Sequence, residues 1–458
     1  MSLGRDTRQM PAQSAGLATE DRGEAPRYRR SGGTRTAAHG NARSGTGDLM
    51  EEVVARENVL AAIRRVRANK GSPGIDGMTV DELWSHLVSN GDDIRNRLLD
   101  GTYTPSAVRK VDIPKPDGGV RTLGIPTVVD RLVQQCILQI LQPRFDPTFS
   151  ESSYGFRPGR RAHSAVLAVQ RFIESGKTWV VDTDLEKFFD KVNHDILMGR
   201  LAKRIEDKRM LAIIRRFLSA GMMADGVVVE REEGTPQGGP LSPLLANVLL
   251  DEVDKELERR GHSFARYADD LNVYVGSKRA ADDAMQLLRK LFDGLRLKVN
   301  EEKSAVARPW GRKFLGFSFW KDPRTKKVKR SLAKKTVEKL KETVRKKTAR
   351  SNGRSVENVV YDLGQYLRGW KGYFQIVQTR SVLQDIDGWI RRRLRALTLS
   401  RWKRGTRTFP ELRRLGAEGG TAARIARRTR SWWGASSGEL NQVLDIAYFD
   451  RLGLPRLA

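Results

Sequence analysis

The sequence holds one cysteine in 458 residues, Cys136 in "VQQCILQIL". A lone thiol excludes a disulfide framework and any cysteine-based zinc finger or knuckle. Its amphipathic setting reads as a small core residue rather than a nucleophile. Long apolar runs are missing too: none approaches the roughly 18 residues that span a bilayer. The opening "MSLGRDTRQM" has no hydrophobic signal core. Membrane insertion is therefore not expected, and a cytoplasmic location is. Histidines are few, and His39, His86, His163 and His262 are scattered, which reads as structural or exposed. Acidic residues are also in short supply, 55 against 84 Lys and Arg, for a net charge of +29. Such an excess implies a polyanionic partner, nucleic acid first and an anionic membrane second.

The length allows two to four domains and a sizeable core. From residue 321 onward, 34 basic residues face 12 acidic ones. Trp370, Tyr373, Trp389, Trp402, Trp432 and Trp433 are interleaved with these arginines. Guanidinium groups for phosphates and rings for exposed bases make an RNA-binding composition, although some of the tryptophans must be core.

Residues 1–48 are rich in Gly, Ser, Thr and Arg without periodicity and read as a disordered tail. Periodic structure starts at "LMEEVVARENVLAAIRRVRANKG", where Val53, Val54, Leu60, Ile63 and Val66 can line one helical face ended by Gly71. "VRKVDIPKPDGGVRTLGIPTV" reads as two β-segments about a Pro-Asp-Gly-Gly turn. "TWVVDTDLEKFFDKVNHDIL" begins as a buried strand at 179–184 and becomes a helix. Ser242 is an expected N-cap with Pro243 in the first turn, followed by a stripe of Leu245, Leu249, Val253 and Leu257. "LKVNEEKSAVA" reads as strand-like, and helical patterns dominate from Ser331, with Leu332, Val337, Leu340 and Val344 inward. Mixed strands and helices giving way to helices predict an α/β core with a helical appendage.

Within "FARYADDLNVYV", Asp269 and Asp270 sit at the joint between two β-forming stretches. Asp favours turns because its side chain caps nearby backbone donors. Asp184, however, stands where another strand ends. If the strands are neighbours, three carboxylates share a site and repel one another unless cations neutralise them. Oxygen ligands suit Mg²⁺, and paired ions suit phosphoryl transfer.

Together, "YADD" at 267–270, "DLEKFFD" at 184–190 and "TPQGGPLSPLLANVLLDEVD" resemble reverse transcriptases. More narrowly, the chain resembles the reverse transcriptase–maturases encoded by bacterial group II introns. The likeness runs from about residue 49 to the C-terminus, through "NKGSPGIDGMTVDEL", "IPKPDGGVRTLGIPTVVDRLVQQ", "SYGFRPGRRAH", "KFLGFSF", "LRGWKGYF" and "YFDRLGLPRL". It implies an α/β (α+β) right-hand polymerase. The fingers and a palm with a split βαβ sheet would be followed by an α-helical thumb, or maturase domain. The implied divisions are an N-terminal extension and fingers at 49–178, palm at 179–320, thumb at 321–410 and a short basic DNA-binding region at 411–458.

Carried onto matching positions, the resemblance makes Asp184 and Asp269 the ligands of two Mg²⁺ ions, with Mn²⁺ as a substitute. The backbone carbonyl of Leu185 would assist, and Asp270 would be the supporting third carboxylate. Phe189 matches a steric gate that excludes a ribose 2′-hydroxyl, although Phe188 and Phe189 also read as core. Lys115 and Arg121 match residues that hold the incoming triphosphate. Gln237 and Gly238 match the segment against the nascent base pair. Lys303 matches the general acid for pyrophosphate departure, with Lys298 close by. Arg157 would contact template or triphosphate. Arg368, Trp370, Arg391, Arg392, Arg393 and Arg395 would bind nucleic acid, and Gly369 would permit close helix packing. His194, in "VNHD", belongs to the pattern without needing a catalytic role.

The implied function is RNA-templated DNA synthesis combined with binding of the encoding intron RNA, which assists splicing and retrohoming. Implied partners are group II intron RNA, an RNA template with a DNA primer, target DNA and dNTPs, without a membrane. The location would be cytoplasmic, at the nucleoid during retrohoming. With one cysteine and an end at Ala458, an endonuclease domain with paired cysteines is not expected. Two other readings stay open at this point: an RNA-binding splicing cofactor without polymerase activity, and a domesticated relative in DNA repair or phage defence.

Overall fold

The computed structural model describes residues 48–114, 119–224, 227–229, 233–235, 238–429 and 431–458. The expected tail lies outside them except for Asp48. The described chain divides between residues 329 and 330 into two compact units. Among the described residues no helix is long and apolar enough to cross a membrane.

Ten strands are described. They are β1 (Val108–Pro114), β2 (Val120–Ile125), β3 (Trp179–Thr183), β4 (Met222–Ala224), β5 (Val227–Val229) and β6 (Ser263–Tyr267). After them come β7 (Asp270–Val275), β8 (Ala305–Ala307), β9 (Phe317–Lys321) and β10 (Val328–Leu332). The first unit contains two four-stranded sheets. One has the order β2-β1-β4-β5 and includes the expected hairpin, with Ile113 opposite Arg121. The other is antiparallel in the order β6-β7-β3-β8.

Alternation along β3 and β7 gives the second sheet two chemically different faces. Val181, Leu271 and Val273 join the main apolar core with Leu288 and Phe292 of the helix Lys278–Gly294. Asp182 pairs with Asn272 on the opposite face. The helix Ser242–Arg259 buries Leu245, Leu249, Val253 and Leu257, the expected stripe.

Three local expectations are corrected. Ser242 is the first helical residue rather than the cap: Leu241 occupies that position, and the Ser242 hydroxyl accepts from Thr235 Oγ1 at 2.8 Å. The run expected as one helix from residue 49 is broken at Val54 and Ala55 into Leu49–Val53 and Arg56–Ala68. "LKVNEEKSAVA" is strand only at Ala305–Ala307, because Asn300 accepts from its own neighbours, capping a turn at Lys303 and Ser304.

The second unit is helical, built on Lys334–Lys347, Val356–Phe374 and Arg380–Trp402. Its last residues fold back: Leu457 and Ala458 N–H donate to Asp387 Oδ2 at 2.9 and 3.2 Å. Lys371 Nζ donates to the Arg456 carbonyl at 2.7 Å. The glycine this packing needs is Gly364, where a Cβ would stand 3.0 Å from the Gly453 carbonyl. Gly369, the expected one, faces open space.

Candidate active site

Register brings the carboxylates together. Thr183 lies opposite Leu271 at the end of the β3–β7 ladder, and the same register carried one residue further aligns Asp184 with Asp270. Asp269 occupies the two-residue connection between β6 and β7, after Ala268. Asp184, Leu185, Phe189, Asp269, Lys303 and Arg121 line one cleft of about 930 Å³. Sequence positions separated by nearly 200 residues thus face a common space.

Its electrostatics are those of crowded negative charge. Burial raises the Asp269 carboxyl above the usual carboxylate range, and the Asp184 charge adds to this, while Arg121 and Arg266 oppose it. Burial, then Asp182 and Asp269, push Asp270 up to about 7. Asp182 is also raised by burial, against the Arg312 guanidinium, whose Nε bonds its Oδ2 at 3.1 Å. Such groups ionise together only when a cation sits among them. Among the described residues, no group of three or more His, Cys, Asp or Glu forms a metal cluster by itself. Two cleft-lining carboxylates with a nearby backbone carbonyl still fit Mg²⁺, which takes few protein ligands and completes its shell with water and phosphate oxygens.

The loop 298–304 holds Asp184 in place. Asp184 N–H donates to Ser304 Oγ at 3.0 Å, and Asn300 N–H to the Asp184 carbonyl at 2.8 Å. Lys303 Nζ lies 3.5 Å from Asp184 Oδ2. Two non-glycine residues beside the aspartates have left-handed φ, Lys187 at 45° and Ala268 at 59°. Backbone in that region costs about 1–3 kcal/mol and persists only where its surroundings enforce it.

For Ala268 the surroundings are a buried network that sequence reading missed. Arg266 is 1 % exposed, and its partner Asp254 is fully buried. The guanidinium bonds Asp254 through Nε and Nη2, at 2.8 and 2.6 Å. It also donates to Asn247 Oδ1 at 2.9 Å, Ser153 Oγ at 2.8 Å and the Ala268 carbonyl at 2.9 Å. Asn247 in turn donates to the Gly155 carbonyl at 2.9 Å. A Cβ on Gly155 would stand 2.3 Å from Ala268 N, so this glycine seats the turn by close backbone approach. We expect Gly155→Ala to lower the turnover supported by this cleft at least tenfold, as about 1.4 kcal/mol of misplacement suffices. Single-turnover kinetics on folded protein measure it.

The family model "Reverse transcriptase (RNA-dependent DNA polymerase)" matches residues 113–319, and "Group II intron, maturase-specific domain" matches 337–416. Protein YkfC of Escherichia coli K12 is 32% identical over 299 residues, covering 56% of this chain and 78% of YkfC. The chain belongs to the reverse transcriptase family. It carries the group II intron maturase-specific domain besides. Group II intron-encoded protein LtrA of Lactococcus lactis is 38% identical over 197 residues, 42% of this chain but only 32% of LtrA. A solved telomerase from Candida albicans, with telomeric RNA, shows 14% identity over 65% of this chain and 60% of that one. Its TM-score is 0.41.

In this reverse transcriptase both phenylalanines border the cleft and differ in exposure: Phe188 is 2 % exposed and belongs to the core, while Phe189 is half-buried and packs against that core. Gly238 has φ 138°, and a Cβ there would stand 2.9 Å from the Gly124 carbonyl of β2. Lys115 and Gln237 lie outside the described residues. Three arginines assigned to nucleic acid turn inward instead. Arg157 is buried on Asp146, with Nε to Oδ1 at 2.9 Å. Arg391 is buried between Asp387 and Asp450, and Arg395 donates to the Ser436 and Leu444 carbonyls. Desolvated guanidinium needs such acceptors, and these leave little for a phosphate. Arg368 stays exposed with one bond to the Gly453 carbonyl, and Trp370 stacks near Phe374. Arg392 lies over the Trp433 ring, and Arg393 over Trp389.

Proposed function

We propose that this reverse transcriptase copies RNA into DNA at the cleft bounded by Asp184 and Asp269, and that its second unit binds group II intron RNA as a maturase. The observation that carries the polymerase reading is the convergence of Asp184, Asp269, Arg121, Phe189 and Lys303 on one space. Asp184, Asp269 and the Leu185 carbonyl would hold two Mg²⁺ ions, with Asp270 behind them and Mn²⁺ as a substitute. Divalent ions there supply charge neutralisation on the transferred phosphate and a lower pKa for the attacking hydroxyl.

The chain's own groups have separate tasks in this reading. Arg121, together with Lys115, holds the triphosphate of an incoming dNTP, the arginine by guanidinium–phosphate bonds. Phe189 fills the volume a ribose 2′-hydroxyl would take. Gln237 and Gly238 lie against the nascent base pair. Lys303, already paired with Asp184, protonates the departing pyrophosphate.

In the second unit, exposed Tyr361, Tyr373 and Trp433 among basic residues support binding of single-stranded RNA. Arg368, Trp370, Arg392 and Arg393 remain the residues proposed for it. The partners proposed are intron RNA, an RNA template with DNA primer, target DNA and dNTPs, in the cytoplasm and at the nucleoid. Chelation should abolish primer extension and restored Mg²⁺ or Mn²⁺ should recover it; extension that survives chelation contradicts the metal assignment. Splicing of an intron RNA at low Mg²⁺ with and without the protein checks the maturase half.

A further inference from the structure

A second seam of hydrogen bonds lies beneath the cleft, separate from those that hold the aspartates. The segment carrying Phe189 continues through Asp190, Lys191, Val192 and Asn193 to His194. Residues 233–235 lie along it. Thr235 N–H donates to the Phe189 carbonyl at 2.7 Å, and Gly234 N–H to the Val192 carbonyl at 2.8 Å. Asn193 bridges Glu233, and Lys191 forms an ion pair with the same glutamate. Gly234 has φ 88°, and a Cβ there would stand 2.8 Å from the Asp190 carbonyl oxygen. Glycine alone lets the two segments approach this closely.

His194 closes the seam. Its Nε2 is 2.6 Å from the Gly234 carbonyl oxygen. A carbonyl only accepts, so Nε2 carries the hydrogen and donates. The ring is 3 % exposed, which shields the bond from competing water. Thr235 is fastened on its other side to Ser242 Oγ, in the first turn of the helix Ser242–Arg259.

We infer that His194 is a specificity-determining positioning residue, whose bond to Gly234 fixes how closely Phe189 approaches the sugar of the incoming nucleotide. The inference rests on reading Phe189 as the gate. The link from imidazole to gate runs from His194 to Gly234, to Thr235 N–H and to the Phe189 carbonyl. Exclusion by a packed ring is steep in distance, and a misplacement of roughly 1 Å changes rates by about 10²-fold. Asp184 and Asp269 depend on Ser304, Asn300 and the Arg266 network instead. Loss of the imidazole therefore relaxes discrimination against ribonucleotides more than it slows dNTP use.

The test compares kcat/KM for dNTPs and NTPs on one RNA template and DNA primer. It uses wild type, Phe189→Ala, His194→Phe and His194→Gln. His194→Phe keeps the ring but lacks the donor, and the dNTP-over-NTP ratio should fall roughly tenfold, the discrimination a modest change in pocket fit can shift. His194→Gln keeps an N–H donor and should retain most of the ratio. Equal loss on both substrates in His194→Phe, with the ratio unchanged, overturns the inference and leaves a structural histidine. An unchanged ratio in Phe189→Ala removes the gate itself, and the inference with it. Should His194→Phe not fold, Gly234→Ala separates the same segments without touching the ring. The same fall in ratio is then expected, and its absence overturns the inference.

Discussion

Asp184→Asn reduces dNTP incorporation on an RNA template by roughly a thousandfold or more. Bound divalent ions contribute several kcal/mol of charge stabilisation in phosphoryl transfer, and each ~1.4 kcal/mol is a factor of ten. The substitution retains the side-chain volume and the backbone bonds to Ser304 and Asn300, so it removes charge rather than fold. It also deprives Lys303 of its ionic partner at 3.5 Å. Two measurements separate metal loss from unfolding. Mn²⁺ binding followed by electron paramagnetic resonance should weaken, and the melting temperature should hold or rise, since a crowded carboxylate has been relieved. A variant that binds Mn²⁺ like wild type yet is inactive would place the metal elsewhere.

The second large effect belongs to Arg266. Removing one member of a buried ion pair leaves the other charged and unsolvated, at about 3–5 kcal/mol. Arg266→Met should therefore lower the melting temperature by roughly 10 °C in a domain of this size, and abolish measurable extension. The double variant Arg266→Met with Asp254→Leu is more informative. Apolar replacement of a whole buried pair is often neutral, so much of the stability should return. Activity should not, because nothing then donates to the Ala268 carbonyl at the catalytic turn. Recovery of both together would reduce Arg266 to a core residue with no hold on the site.

The contrast between these two sites shows what the sequence made legible. Asp184 and Asp269 declare themselves locally, one after a β-forming run and one in a tight joint, and their convergence needed only that β3 and β7 be neighbours. Arg266 sits in a short strand, where a charged residue reads as solvent-facing, yet Phe264, Ala265 and Arg266 are all buried. Its acceptors are scattered, from the Ala268 carbonyl next to it to Asp254 on another element and Ser153 113 positions away, and no local pattern reports such a set. A charge following the buried Phe264 and Ala265 was the available signal. Arg391 and Arg395 failed for a related reason. One helical turn apart on Arg380–Trp402, they share a face with Leu394, and later segments supply Asp450, Ser436 and Leu444 to that face. An arginine run reads as surface until the chain that covers it is known. Ser242 was misread because its hydroxyl engages Thr235 rather than its own helix end.

We propose that Asp184 and Asp269 make this chain a metal-dependent polymerase that copies RNA into DNA. This is tested most directly by extension of a DNA primer on an RNA template with Mg²⁺, running wild type beside Asp269→Asn and supplying dNTPs or NTPs separately. Extension is expected from wild type with dNTPs, little or none with NTPs, and none from the variant. Well-folded wild type that binds RNA tightly yet extends nothing would contradict it.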